Sequence, residues 1–405
     1  MYPYVKVMRE YLDKSGITSN DIDKVVSTTQ GIFGHDWLED LIKVRQETPP
    51  FAQHPIMNGC ASGSFTHLMD LIELDTCIVS FKDDKELSKI IPPLKMVSSY
   101  NDNFFQLVIA YRFKKLGFIT KLEPKIENGL LADFEAVKDD EKIIAECTLL
   151  RGWGVREEEQ KVFWECVFNL RRLYKKGADR IVIDIVSTNA LTFETLKTMR
   201  TDIIKVVDGF YKDKKNTKLS NEFYEINIYE VDAETNLKLR TDGETYFKSL
   251  KLDYVLSFSL VPPKITGDIT SAVGVAGPTS ILKYKNLTPL IDPLEDRIDK
   301  KVRDKFKQLK SHPKGYVSVL FIEVEDKLEN ADIRRIGNRL LNVFKEIPSL
   351  NAVILTKRNW TTALKHQYQG TVFSNPNNPL SDKLFQDFTL LERDINFINE
   401  WKSLF

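Results

Sequence analysis

The 405-residue chain has no surplus of charge, since 58 Lys and Arg balance 58 Asp and Glu. That balance excludes a global basic field, so any binding of a polyanion must come from a local patch. Cysteine is scarce: Cys60, Cys77, Cys147 and Cys166 are scattered without CxxC spacing, which argues against both a zinc site and a disulfide framework. The five histidines are equally dispersed and form no His-rich metal motif or local Ser/His/Asp arrangement. No run of 18 apolar residues occurs, and the opening MYPYVKVMREYLDKSG reads as an amphipathic helix over 2–14 rather than a signal peptide. Together these absences predict a soluble, cytoplasmic protein with no membrane partner. There is no GxGxxG unit, internal repeat or low-complexity segment, and GVAGPTS at 274–280 lacks the Gly-Lys-Ser/Thr ending of a phosphate-cradling loop.

What is present is ample core material. With 42% apolar and 29% charged residues, the length suits two or three ordinary domains. Residues 1–98 read as mainly helical, with segments near 19–27, 36–46, 62–72 and 84–90 and Pro-rich breaks at Thr48-Pro49-Pro50 and Ile91-Pro92-Pro93. The second break marks a domain boundary on this reading. Residues 99–360 then alternate helices and strands, beginning with helix, three strands, a helix of about twenty residues and the strand at 180–186. Residues 361–405 read as a turn around Asn375-Pro376-Asn377-Asn378-Pro379 and a docking helix from Leu391 to Phe405. The expected class is mixed α/β: a mixed sheet flanked by helices, preceded by a helical N-terminal region.

The stretch from Phe104 to Leu150 carries the chemistry. Asp133 follows an Asn128-Gly129 turn into a strand, and Glu146 lies in the apolar run IIAECTLL of the next strand. An acid in such a run faces either a site or a costly unpaired burial. An Asp after a turn is often only a strand-end residue, so Asp133 gains its interest from Glu146. Neighbouring antiparallel strands bring both carboxylates to one edge, where Mg²⁺ or Mn²⁺ is held by one or two carboxylates plus phosphate oxygens. Cys147 alternates with Glu146 and should face the opposite, packed side.

At these residues the sequence resembles the restriction-endonuclease-like superfamily, the PD-(D/E)xK nucleases. Its core is a helix, a three-stranded meander, a second helix and a further strand. Asp133 matches the family's Asp and Glu146 its Glu, while Ala132 stands where Pro is frequent. Gln106 occupies the place of the first-helix acid, and Thr148 the place of the Lys. The resemblance implies a metal-dependent nuclease of nucleic acid, with DNA expected ahead of RNA as the substrate. The motif Lys normally orients the attacking water and stabilises charge on the phosphate, which a threonine hydroxyl does far less well.

Several cations offer themselves as its replacement. Lys142 shares a strand face with Glu146 and Thr148, although it also adjoins the Asp139-Asp140 turn, where a solvated strand end is the plain reading. Arg151 lies in the following loop, and Lys161 in the next helix. Further on, the helix 297–310 sets Ile298, Val302, Phe306 and Leu309 at helical spacing, with Arg297, Lys300, Lys301, Arg303, Lys305, Lys307 and Lys310 on its other sides. This helix is either a solvated surface or a face that meets nucleic-acid phosphates through residues such as Lys300 and Lys301. Two functions follow: a metal-dependent nuclease, or a catalytically silent relative serving as a nucleic-acid-binding or protein-interaction scaffold.

Overall fold

A computed structural model describes residues 17–44, 53–57, 65–125, 131–150, 154–173, 181–189, 191–213, 215, 217–235, 254–258, 280–287, 294–309, 315–324, 330–360, 366–391, 395 and 397–404. The expected helix at 2–14, the Asn128-Gly129 turn, Arg151 and the GVAGPTS loop up to Thr279 lie outside these residues.

The elements, in chain order, open with helices α1 (Ser19–Phe33), α2 (His35–Val44), α3 (Phe65–Ser80), α4 (Leu87–Leu94) and α5 (Val97–Lys115). Strands β1 (Ile119–Leu122), β2 (Phe134–Lys138) and β3 (Glu141–Leu150) follow. Next come α6 (Gly154–Leu173), β4 (Ile181–Ser187), α7 (Phe193–Asp213), β5 (Thr217–Ser220), β6 (Tyr224–Glu230), β7 (Tyr254–Phe258) and β8 (Ser280–Asn286). The chain continues with α8 (Leu294–Leu309), β9 (Val317–Val324), α9 (Asn330–Glu346), β10 (Ala352–Trp360), β11 (His366–Ser374), α10 (Asp382–Leu390) and α11 (Phe397–Leu404).

These form two compact units with two mixed sheets. The first combines the chain up to Gly152 with Asp292–Phe405, and the second is essentially Trp153–Ile291, an insertion after β3. The division differs from the linear one expected at 98 and 360. Pro92 and Pro93 do not part domains: they sit in the last turn of α4, where the N–H groups of Lys95 and Met96 bond back to the proline carbonyls. Apolar residues of α1, α3, α4 and α5 then share one core with β1–β3, β9 and β10. Past residue 360, β11 pairs along the whole of β10, and α11 buries Phe397, Ile398 and Trp401 in that same core. The Asn/Pro turn is ordered as expected, with Asn375 Nδ2 donating to Leu350 O at 2.8 Å.

The first sheet runs β1-β2-β3-β9-β10-β11. Its meander β1–β3 is antiparallel, closed at one end by a two-residue turn in which Asp139 adopts φ 53, as a tight hairpin requires. β9 adds parallel to β3, with Glu146 opposite Leu320, and β10 adds parallel to β9. Parallel strands need helical crossovers, which is why α8 and α9 lie where they do. One face packs on α5, whose residues Phe104–Phe113 are all buried, as a helix enclosed on every side must be. Phe113, Phe134, Phe321 and Phe388 knit this layer, with Phe113 and Phe134 rings 5.3 Å apart. The other face packs Ile144, Leu320 and Ile322 under Ile298, Val302 and Phe306 of α8 and the apolar side of α9.

The second unit has sheet order β5-β6-β4-β8-β7, with α6 and α7 packed over Ile181, Ile183 and Ile185. The helix and strand expected to complete the first sheet, α6 and β4, belong here instead. α8 and β9, more than 100 residues later, take that place. Among the described residues, no helix is long and apolar enough to cross a membrane.

Candidate active site

β2 begins at Phe134, opposite Ala145, so β3 extends beyond its partner. On that uncovered edge two N–H groups find side-chain acceptors in place of a strand. Cys147 N donates to Asp133 Oδ2 at 2.6 Å, and Leu149 N donates to Asp102 Oδ1, from α5, at 3.2 Å. The backbone of β3 left unpaired by its short neighbour therefore fixes two carboxylates at alternate positions, Cys147 and Leu149. Asp133 is also held by its own main chain: its N–H donates to Ala145 O, and its carbonyl accepts from Glu123 N and, at 2.6 Å, from Gln106 Nε2.

Glu146 rises from β3 on the α8 side, by alternation with Ala145 and Cys147, which join the α5-side core. It is only 1% exposed. Its Oε2 accepts from Lys305 Nζ, on α8, at 3.2 Å, and its Oε1 is buried with no hydrogen-bond partner. Burial, reinforced by Asp133, pushes the Glu146 carboxyl up to about 8 against the pull of Lys305. Burial also raises Asp133, opposed by Lys305 and by the Cys147 N–H. Burial disfavours the Lys305 ammonium, but Asp133 and Glu146 outweigh it and raise its pKa above the ordinary lysine value. The two acids behave as a like-charge dyad that retains a proton at neutral pH beside a fixed cation.

This chemistry suits a hard divalent cation. Among the described residues no cluster of three or more His, Cys, Asp or Glu forms a ready ligand set. Two carboxylates suffice for Mg²⁺ or Mn²⁺ when substrate oxygens and water complete the shell, and the orphaned Oε1 of Glu146 is a buried acceptor awaiting such a partner.

The other expected site residues fall as follows. Thr148 is buried on the Glu146 side of β3, 2% exposed. Lys142 is exposed at the far end of the strand, about 13 Å from Glu146 by strand rise, with its ammonium over the Tyr316 ring. It does not join the dyad. Gln106 braces Asp133 through the backbone and stands one helical turn after Asp102, whose carboxylate accepts from Leu149 N. Lys161 belongs to the second unit. Lys300 is exposed on α8 and Lys301 half-buried.

Lys305 is one of six cations in α8, and the sequence pattern did not set it apart, since Lys301 stands in the same way beside the buried Ile298 and Val302. Arg303, two residues away, instead pairs with Asp299 at 2.5 Å and with Glu346 of α9. Comparison with protein-family models, with curated proteins and with solved structures gives no match.

Proposed function

We propose that this chain is a metal-dependent nuclease of restriction-endonuclease-like architecture, hydrolysing DNA phosphodiesters. The observation that carries the reading is Lys305 Nζ at 3.2 Å from Glu146 Oε2: a lysine delivered from α8 to the acid pair whose own strand has Thr148 in the lysine position. The order α5, β1–β3, then α8 and β9 after an insertion, supports it, because it is the helix–meander–helix–strand order of that superfamily.

Asp133 and Glu146 would hold Mg²⁺ or Mn²⁺, which supplies charge neutralisation at the phosphate and a more acidic bound water. Lys305 retains donors beyond its bond to Glu146 and is placed to orient a water or bind a phosphate oxygen as negative charge develops. Asp133 is immobilised by four hydrogen bonds, counting those to its backbone, so its carboxylate would meet an ion without reorganisation. In the overall step the water oxygen bonds to phosphorus and gives up one proton to solvent, the bond to the leaving deoxyribose oxygen breaks, and that oxygen takes up a proton from solvent.

The test is incubation of the full chain with duplex DNA, single-stranded DNA and RNA, in Mg²⁺, Mn²⁺ or chelator. Metal-dependent cleavage should disappear in Asp133→Ala and Glu146→Ala. It should fall about 10²–10⁴-fold in Lys305→Met and stay within about twofold in Lys142→Ala, a surface change. A folded Glu146→Ala variant with full activity overturns the reading. Nucleic-acid binding without cleavage under every condition favours the silent scaffold.

A further inference from the structure

Where β1 ends, Glu123 adopts φ 42, the left-handed region in which a side chain costs energy and glycine does not. It continues the register of β1 with β2 one step past the Leu122–Phe134 pair, and the Lys125–Leu131 bridge keeps that register. Glu123 therefore stands directly opposite Asp133, with its N–H donating to Asp133 O at 3.0 Å. Two carboxylates directly opposite across a strand pair repel. After burial, Asp133 is the strongest influence raising the Glu123 carboxyl above its ordinary range, against the pull of Lys89, so the two acid groups act on each other. The Glu123 side chain is half-buried, and no hydrogen bond or ion pair ties its carboxylate to another described residue.

An unfavourable backbone conformation and an unfavourable opposition of charge thus meet at one carboxylate that makes no polar contact in return. A divalent ion beside Asp133 turns that opposition into attraction. We infer that Glu123 is a positioning residue of the candidate site: its carboxylate accepts hydrogen bonds from waters carried by the Mg²⁺ or Mn²⁺ that Asp133 and Glu146 hold, and so tightens the ion and orients its outer shell. The inference rests on the metal-site reading and adds a third carboxylate to it. Acting through water is what the geometry requires, because among the described residues no three acids stand close enough to ligate one ion directly. Mg²⁺ keeps several of its waters in such sites, and each has protons to donate. Outer-shell acceptors of this kind govern the affinity and orientation of what they hold. The orphaned Oε1 of Glu146, in a side chain of a residue 1% exposed, is a second buried acceptor beside the same ion.

The experiment is titration of the full chain with Mn²⁺ in the absence of nucleic acid and at fixed pH, read by the electron paramagnetic resonance of the free ion. It compares the unaltered chain with Glu123→Gly, Glu123→Gln and Lys121→Gln, an exposed neighbour on β1. Glycine suits φ 42 and keeps the N–H that holds Asp133 O, so Glu123→Gly should unfold at no lower a urea concentration than the parent. Its Mn²⁺ affinity, and that of Glu123→Gln, should nonetheless fall about 10–100-fold. Lys121→Gln should stay within about twofold of the parent, as a surface change. The number of waters on the bound ion, counted from ¹⁷O couplings in labelled water, should be the same in Glu123→Gln as in the parent.

An unchanged Mn²⁺ affinity in a folded Glu123→Gly variant overturns the inference, since the backbone N–H alone would then account for residue 123. Should that variant not fold, Glu123→Gln carries the same test. An equal loss of affinity in Lys121→Gln also overturns it, as does an extra water on the ion in Glu123→Gln, which would place Glu123 on the ion itself. Failure of the metal-site reading shows differently. If the unaltered chain binds no Mn²⁺, or binds it as tightly after Glu146→Ala, that reading falls and the inference falls with it.

Discussion

Glu146→Gln removes a carboxyl of the candidate site whose ionisation this fold opposes. Burial and Asp133 move the Glu146 carboxyl from its ordinary 4.5 to about 8. Between those pH values the folded protein keeps a proton that the unfolded chain has released. Stability therefore falls as pH rises through the window, and the loss is complete above about 8. At 1.36 kcal/mol per pH unit, the full interval is worth about 5 kcal/mol. Asp133 and Lys305 respond together with Glu146, so about 3–5 kcal/mol is expected. Glutamine keeps the shape, stays neutral and has no such pH dependence.

Urea unfolding in chelator at pH 5 and pH 8.5 should then show the variant gaining about 3–5 kcal/mol on the parent between the two pH values. Adding Mn²⁺ at pH 8.5 should recover stability in the parent and not in the variant, because the ion takes the place of the proton. Parallel pH profiles for the two proteins refute the reasoning. They would mean that Glu146 is ionised and compensated throughout.

Two further predictions follow from the same geometry. Mn²⁺ affinity of the unaltered chain should strengthen by up to about tenfold per pH unit from pH 6 and level off above about 8. Calorimetry in buffers of different ionisation heat should count close to one proton released per ion at pH 7, and pH-independent affinity would remove the shared proton from the account. Gln106→Leu deletes the 2.6 Å bond to Asp133 O while leaving no charge behind. It should cost about 1–2 kcal/mol of stability and weaken Mn²⁺ binding, measured by titration. An unchanged ion affinity in a folded variant would show that Asp133 is held well enough by Glu123, Ala145 and Cys147 alone.

The legible parts of the sequence were those governed by local pattern. β2, the Asp139-Asp140 turn and β3 follow from alternation and turn chemistry, and an acid inside IIAECTLL advertised itself because burial without a partner is unfavourable. What local pattern could not supply was long-range pairing. The strands IVIDIVS and VSVLFIEV are both short, apolar and preceded by a helix, so periodicity gives no reason to send the first to a second sheet and the second to the edge of β3. That single topological choice also decides the chemistry. It brings α8, not α6, over Glu146 and so replaces Lys161 by Lys305 as the cation of the site. Asp102 was hidden for a different reason: its partner is a main-chain N–H of β3 exposed only because β2 starts late, a consequence of strand register rather than of any residue type. A site assembled from one conspicuous acid, one turn residue and two groups supplied by register and crossover is half visible in sequence. The visible half comprises the groups whose desolvation makes them costly wherever the chain places them.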